Sequence, residues 1–143
     1  MPAISPSLTE NETARVIFGA EKMKKGKILI SGREVRIDSP NNAISSGIGM
    51  VPEDRKQHGV ILSLGVKQNI SLTNLRNITD RLGFIKRRKE SEITNELLRT
   101  LSVKTDDPDK PAERLSGGSQ QKVSLAKWLN SSCRILFIDE PTR

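Results

Sequence analysis

The chain has 143 residues, long enough for one domain with its own core. It carries 24 Lys and Arg against 17 Asp and Glu, a net charge of +7, yet it has no Tyr, three Phe and one Trp, so base-stacking platforms for nucleic acid are scarce and no nucleic-acid partner is expected. A single Cys excludes an internal disulfide framework, the first dozen residues hold no apolar signal-peptide core, and no apolar run reaches membrane-span length, so a reducing, cytoplasmic setting is expected.

Residues 1–11 (MPAISPSLTEN) are rich in turn formers and read as a tail. Glu12 to Phe18 predicts a short helix stopped by Gly19. Lys27 to Ile30 and Glu34 to Ile37 alternate apolar and polar residues around Ser31-Gly32-Arg33, a hairpin pattern. Ser39-Pro40 predicts an N-cap and first helical position, opening a short helix through Ile44. Ile48 to Val51 is a short apolar strand ended by Pro52.

From Val66 the pattern becomes helical. Ile93, Leu97, Leu98 and Leu101 fall three and four apart, a one-sided apolar stripe. Asp106 to Lys110, followed by Pro111, is expected to break that helix. A further helix is predicted from Ser119 to about Leu129. Arg134 to Ile138 is an unalternating apolar run, as in a strand buried on both faces of a parallel sheet. Cys133 beside it reads as a buried structural thiol. The order is α/β, then an all-helical stretch, then α/β again.

Two stretches carry chemistry. In Leu115-Ser116-Gly117-Gly118-Ser119-Gln120-Gln121-Lys122, two glycines let backbone approach a ligand closely. The helix expected directly after them offers unpaired N–H groups and a positive dipole end, which suit a phosphate. Ser116 adds a hydroxyl donor. Alone, the stretch reads equally as an ordinary Gly-Gly turn before a helix. In Ile135-Leu136-Phe137-Ile138-Asp139-Glu140-Pro141, a strand delivers two carboxylates at its C-terminal end, the edge where open α/β sheets bind ligands. One carboxylate can hold Mg²⁺ beside nucleotide phosphates, and the next can orient or deprotonate the attacking water. Alone, this stretch reads equally as a solvated acidic turn.

Together the two are far more specific. LSGGSQQKVSLAKWL followed by RILFIDEPTR resembles, in order and spacing, the signature and Walker B motifs of ATP-binding cassette (ABC) ATPases. Gly47-Ile48-Gly49-Met50-Val51-Pro52-Glu53-Asp54-Arg55-Lys56 and Val66-Lys67-Gln68-Asn69-Ile70-Ser71-Leu72-Thr73 resemble the Q-loop region of the second cassette of ribose-type sugar importers. Val103-Lys104-Thr105 also fits the ribose-type branch.

The resemblance implies an incomplete α/β nucleotide-binding core of the P-loop type, residues 12–65 and 113–143, with a helical subdomain, 66–112, inserted in it. It implies that Ser116, Gly117, Gly118 and Gln121 serve the γ-phosphate of an ATP held by an opposing cassette. Asp139 would support Mg²⁺ and Glu140 would be the catalytic base. Glu53 would stand in for the Q-loop glutamine, sensing the γ-phosphate and Mg²⁺. The implied partners are membrane permease subunits, a second cassette and, indirectly, an extracellular or periplasmic sugar-binding protein. The implied place is the cytoplasmic face of the membrane.

Three departures stand out. Ser119 occupies a signature position where Gln or Asn is usual, and reads as a tolerated change. No G-x-x-x-x-G-K-[ST] phosphate loop occurs in the sequence: Gly26-Lys27 is preceded five residues earlier by Glu21. The D-loop aspartate and switch histidine of the family do not appear either, and His58 reads as a surface side chain. The chain alone is therefore expected not to hold ATP. Its apolar Walker B strand is expected to lack one sheet neighbour, an aggregation hazard.

Overall fold

The computed structural model describes residues 10–52, 59–131 and 133–138. Helix α1, Glu10–Ile17, ends where Gly19 takes a left-handed φ of +74°. A Cβ there would come within 2.6 Å of the Ser39 carbonyl, so the start of the next helix can press against this turn only because the residue is glycine.

Strands β1 (Ile28–Ile30) and β2 (Arg33–Val35) form an antiparallel hairpin with Ile30 opposite Arg33. That register leaves a two-residue turn, Ser31-Gly32, with φ of +50° and +78°. Two positive φ values match the twist of the flanking strands, so Arg33 belongs to the strand and not, as the sequence suggested, to the turn. Helix α2, Pro40–Ser45, follows the expected pattern: the Ser39 hydroxyl accepts from the Asn42 N–H and Pro40 occupies the first turn.

Strand β3, Ile48–Val51, is buried throughout and pairs in parallel with β4, Ile135–Ile138, in a register running from Ile48–Ile135 to Val51–Ile138. A parallel pair needs a long crossover. Here it contains α3 (Val66–Ser71), α4 (Leu75–Ile78), α5 (Arg87–Thr100), a 3-10 turn (Ala112–Arg114) and α6 (Gly117–Asn130). The molecule is thus α/β, with a helical stretch between its parallel strands.

Three expectations change. Helix α5 ends at Thr100, ahead of the prolines: Ser102, at a φ of +50°, turns the chain, and its N–H bonds the Arg99 carbonyl. Helix α6 begins at Gly117, so both glycines lie inside its first turn. Strand β4 is not buried on both faces, since Ile138 is 45% exposed. Among the described residues its only ladder partner is β3, so one long edge and part of a face stay uncovered.

Two cores result. Val60, Val66, Ile70, Leu98, Val123 and Ala126 bring α3, α5 and α6 together, with Leu97 and Leu101 at the border. Ile37, Ala43 and Ile48 form the other, packed by Phe18, Ile28 and Phe137. Trp128 bridges toward the second core: its ring meets Phe18 edge-on at 5.6 Å. Cys133 is half-buried, its thiol 3.3 Å from the Trp128 carbonyl.

Candidate functional site

Ser116 is the N-cap of α6. Its backbone is extended, and its hydroxyl oxygen accepts from the Ser119 N–H at 3.3 Å. One of the four orphan donors of the helix is thereby satisfied. The same hydroxyl donates to the Ser119 hydroxyl at 3.2 Å. The Ser116 cap fixes the first turn, which offsets the backbone entropy that two glycines lose there. This is why the helix reaches back to Gly117.

The turn faces outward. Ser116 and Gly118 are exposed, and a Cβ added to Gly118 would meet nothing within 4 Å. The backbone there is open to an incoming group. By contrast Ser119 is 7% exposed and faces inward, so this position contributes to the cap as well as filling space.

What holds the turn in place is a residue the sequence reading passed over. Gln120, buried one step into the helix, donates from Nε2 to the carbonyls of Ala112 and Leu115 at 3.1 and 3.2 Å. It ties the 3-10 turn and the residue before Ser116 to α6. A Gln directly after a capping stretch was the available signal. Gln121, the neighbour expected to face the ligand, is half-buried on the same turn.

Beside Ser116 runs a cleft of about 560 Å³, lined among others by Lys104, Asp106, Lys110 and Arg114. Lys110 donates to the Asp106 carboxylate at 2.5 Å, and this hydrogen bond holds the Asp106 carboxyl below the usual carboxylate range. The rim is cationic on balance.

Polar side chains fasten α6 to the helices before it. Asn130 donates to the Ile70 carbonyl at 2.9 Å and accepts from Asn74 at 3.1 Å. Thr73 donates to the Lys127 carbonyl at 2.5 Å. The Lys127 ammonium donates to the Gly59 carbonyl at 2.6 Å, and burial pushes its pKa down from the usual 10.5. Fully buried Asn69 closes the loop before α3, donating to the carbonyls of Ile61, Leu64 and Gly65 and accepting from the Ile61 N–H.

The structure therefore brings Ser116, Gly117, Gly118 and Gln121 together at one helix start. Glu53, Asp139, Glu140 and His58 lie outside the described residues. The strands that precede three of them are described: β3 and β4 end side by side, Val51 opposite Ile138. Among the described residues no group of His, Cys, Asp and Glu could hold a metal ion, and no helix is long and apolar enough to cross a membrane.

Comparison with known proteins bears on this arrangement. Residues 12–143 match the family model described as ABC transporter. The ribose import ATP-binding protein RbsA of Geobacillus kaustophilus is 46% identical over 132 residues, covering 92% of this chain and 26% of that protein. Its namesake from Chelativorans sp. is 43% identical over the same coverage. The chain thus spans about a quarter of the length of the curated relatives it matches. Among solved structures, a bacterial ABC transporter cassette in dimeric form superimposes with a TM-score of 0.73 at 21% identity, covering 92% of this chain and 56% of that one. A post-hydrolysis dimer of an ATP-binding cassette, bound to ADP and Pi, gives 0.72 at 20% identity and the same coverage. With its α/β core, its helical crossover and a family match across nearly its whole length, the chain belongs to the ABC transporter family.

Proposed function

We propose that this chain is part of the ATP-binding and ATP-hydrolysing subunit of an importer for a ribose-like monosaccharide. That subunit would lie on the cytoplasmic face of the membrane, against permease subunits and opposite a second cassette, and a sugar-binding protein outside would supply the sugar. The single observation that carries this reading is the outward, uncovered start of α6, where Ser116 caps the helix and Gly118 leaves backbone bare. Relatives named as ribose import ATP-binding proteins support the choice of sugar class.

In this reading residues 12–65 and 113–143 are the nucleotide-binding core and 66–112 the helical subdomain. Ser116, Gly117, Gly118 and Gln121 meet the γ-phosphate of an ATP held by the opposing cassette. The first-turn N–H groups and the helix dipole stabilise its negative charge. The Ser116 hydroxyl proton, which lies toward the Ser119 oxygen, swings outward to a phosphate oxygen. The cap survives that swing, because the bond from the Ser119 N–H uses the Ser116 oxygen and not its proton. Asp139 would hold Mg²⁺, and Glu53 would supply a second carboxylate. Mg²⁺, when bound, neutralises charge on the phosphates. Glu140 takes the proton of the attacking water.

The residues of this chain fit the trans half of such a site better than the cis half. The sequence holds no G-x-x-x-x-G-K-[ST], the loop whose N–H groups and Lys would cradle the phosphates beside Asp139 and Glu140. A second reading is that the chain offers its signature to a partner's ATP without hydrolysing its own.

A MgATP titration and a chimera test both statements. The purified chain is expected not to bind MgATP, and tight binding would overturn the trans-only role. Grafting residues 12–143 into the matching quarter of a ribose import ATP-binding protein should preserve ATP hydrolysis and ribose uptake. In that chimera E140Q should lower hydrolysis by roughly a hundredfold or more. A chimera that is folded but hydrolyses no ATP, or one indifferent to E140Q, would sink the reading.

A further inference from the structure

Between α4 and α5 the chain makes a tight projecting turn. Thr79 and Ile85 pair as an isolated antiparallel bridge, the Asp80 N–H donates to the Phe84 carbonyl at 2.9 Å, and the Lys86 N–H donates to the Ile78 carbonyl at 2.7 Å. The Asp80 carboxylate is turned inward on the loop, accepting from the N–H groups of Leu82 and Phe84 at 2.9 and 3.0 Å. Gly83, at a φ of +88°, lets the chain reverse between them. The tip is thus pre-ordered, and it presents apolar side chains to solvent: Leu82 is 82% exposed, Phe84 69%, and Ile85 is also exposed.

A collar of cations surrounds this tip. Every residue from 80 to 89 is exposed; Arg81, Lys86, Arg87, Arg88 and Lys89 are basic and Asp80 alone is acidic. Arg88 pairs with Glu92 and Lys89 donates to the Asn77 carbonyl. Arg81, Lys86 and Arg87 make no ion pair among the described residues.

We propose that this turn is a membrane-surface contact, with Leu82 and Phe84 inserting among the headgroups of an anionic bilayer while the surrounding Arg and Lys pair with lipid phosphates. Amphipathic insertion of a few apolar side chains next to a basic cluster is the chemistry that holds peripheral proteins on anionic lipid. The charge sign selects this occupant. So does size: a stable protein interface needs roughly 800 Å² on each partner, more than three side chains at a turn supply. Water-exposed Phe and Leu on a well-bonded turn add little to packing among the described residues. The inference goes beyond the ATPase reading and does not depend on it.

Vesicle co-sedimentation of the full chain tests it. Phosphatidylcholine vesicles are compared with vesicles in which about one lipid in four is phosphatidylglycerol. Binding is expected only to the anionic vesicles, weakening as salt rises. L82S/F84S should reduce it by about tenfold or more while circular dichroism and the melting temperature stay unchanged. R87E/K89E should reduce it further than K24E/K25E, which makes the same charge change in the segment between α1 and β1. Equal loss from the two charge variants would mean diffuse attraction to a basic protein and would overturn the proposal, as would unchanged binding by L82S/F84S or no binding at low salt. Self-association abolished by L82S/F84S, without vesicle binding, would overturn it in favour of a protein contact.

Discussion

The two cores of this molecule are built to different degrees of closure. Around Ile70 and Val123 three helices bury their stripes against each other, and side chains of Asn69, Thr73, Asn74 and Asn130 satisfy the carbonyls at the seams. Around Ile48 the strands and α1 enclose one face, but β4 shows Ile135 and Ile138 to solvent. A helix satisfies its own backbone and needs neighbours only for its apolar stripe. A parallel strand needs neighbours on two edges and two faces. Among the described residues the helical core is therefore closed on itself, while the sheet is covered on one face and one edge.

Substitutions can break each side of that contrast. The largest effect is expected in the closed core. Ile70→Ala removes a fully buried side chain from between α3, α5 and α6 and should cost about 2–5 kcal/mol in a urea titration. A loss below 1 kcal/mol would mean the helical core is looser than its burial implies.

Next comes Gly49→Ala on β3, where the new methyl would sit 2.9 Å from the Trp128 ring, 3.0 Å from Leu136 and 3.2 Å from the Cys133 sulfur. Overpacking of this kind should cost about 1–3 kcal/mol. The contrast sharpens if the open side of the sheet gives way: a loss near zero would show that β4 moves freely, and a loss as large as that of Ile70→Ala would show that this core is as rigid as the other.

The smallest effect concerns pH. Burial lowers the Lys127 pKa in the folded chain, so the folded state gives up this proton before the unfolded state does. Between the lowered value and the usual 10.5 the unfolded state holds more protons, and stability must rise with pH over that window. Measured against K127M at each pH, the wild type should gain as pH climbs toward 10.5. A difference that stays constant with pH refutes the cause given.

Most element positions were legible because local chemistry decides them. Ser39-Pro40 capped α2 as read, and Pro52 marked the end of β3. What the sequence hid was tertiary. Thr94 and Glu90, polar residues on α5, are buried beside the apolar stripe, because α3, α4 and α6 all pack on that helix. From sequence, the Ser116 hydroxyl is expected to aim at a ligand. Its first duty is to cap α6, and that role moved the helix start by two residues. The grip of Gln120 on Ala112 and Leu115 could not be seen either, since it depends on how the 3-10 turn folds back. Motif spacing singled out the start of α6 as a candidate, and packing decided which residues there face in or out.

The parallel pairing of Ile48 with Ile135 joins segments about ninety residues apart. Closing so long a loop costs more chain entropy than any local contact here. Helices α3 to α6 lie wholly inside that loop, and their contacts are closer in sequence. If they form first, they shorten the chain still to be closed and set β4 down beside β3. The sheet edge that ends at Val51 and Ile138 is then the last part of the molecule to be assembled, and its formation reports that everything between has already folded.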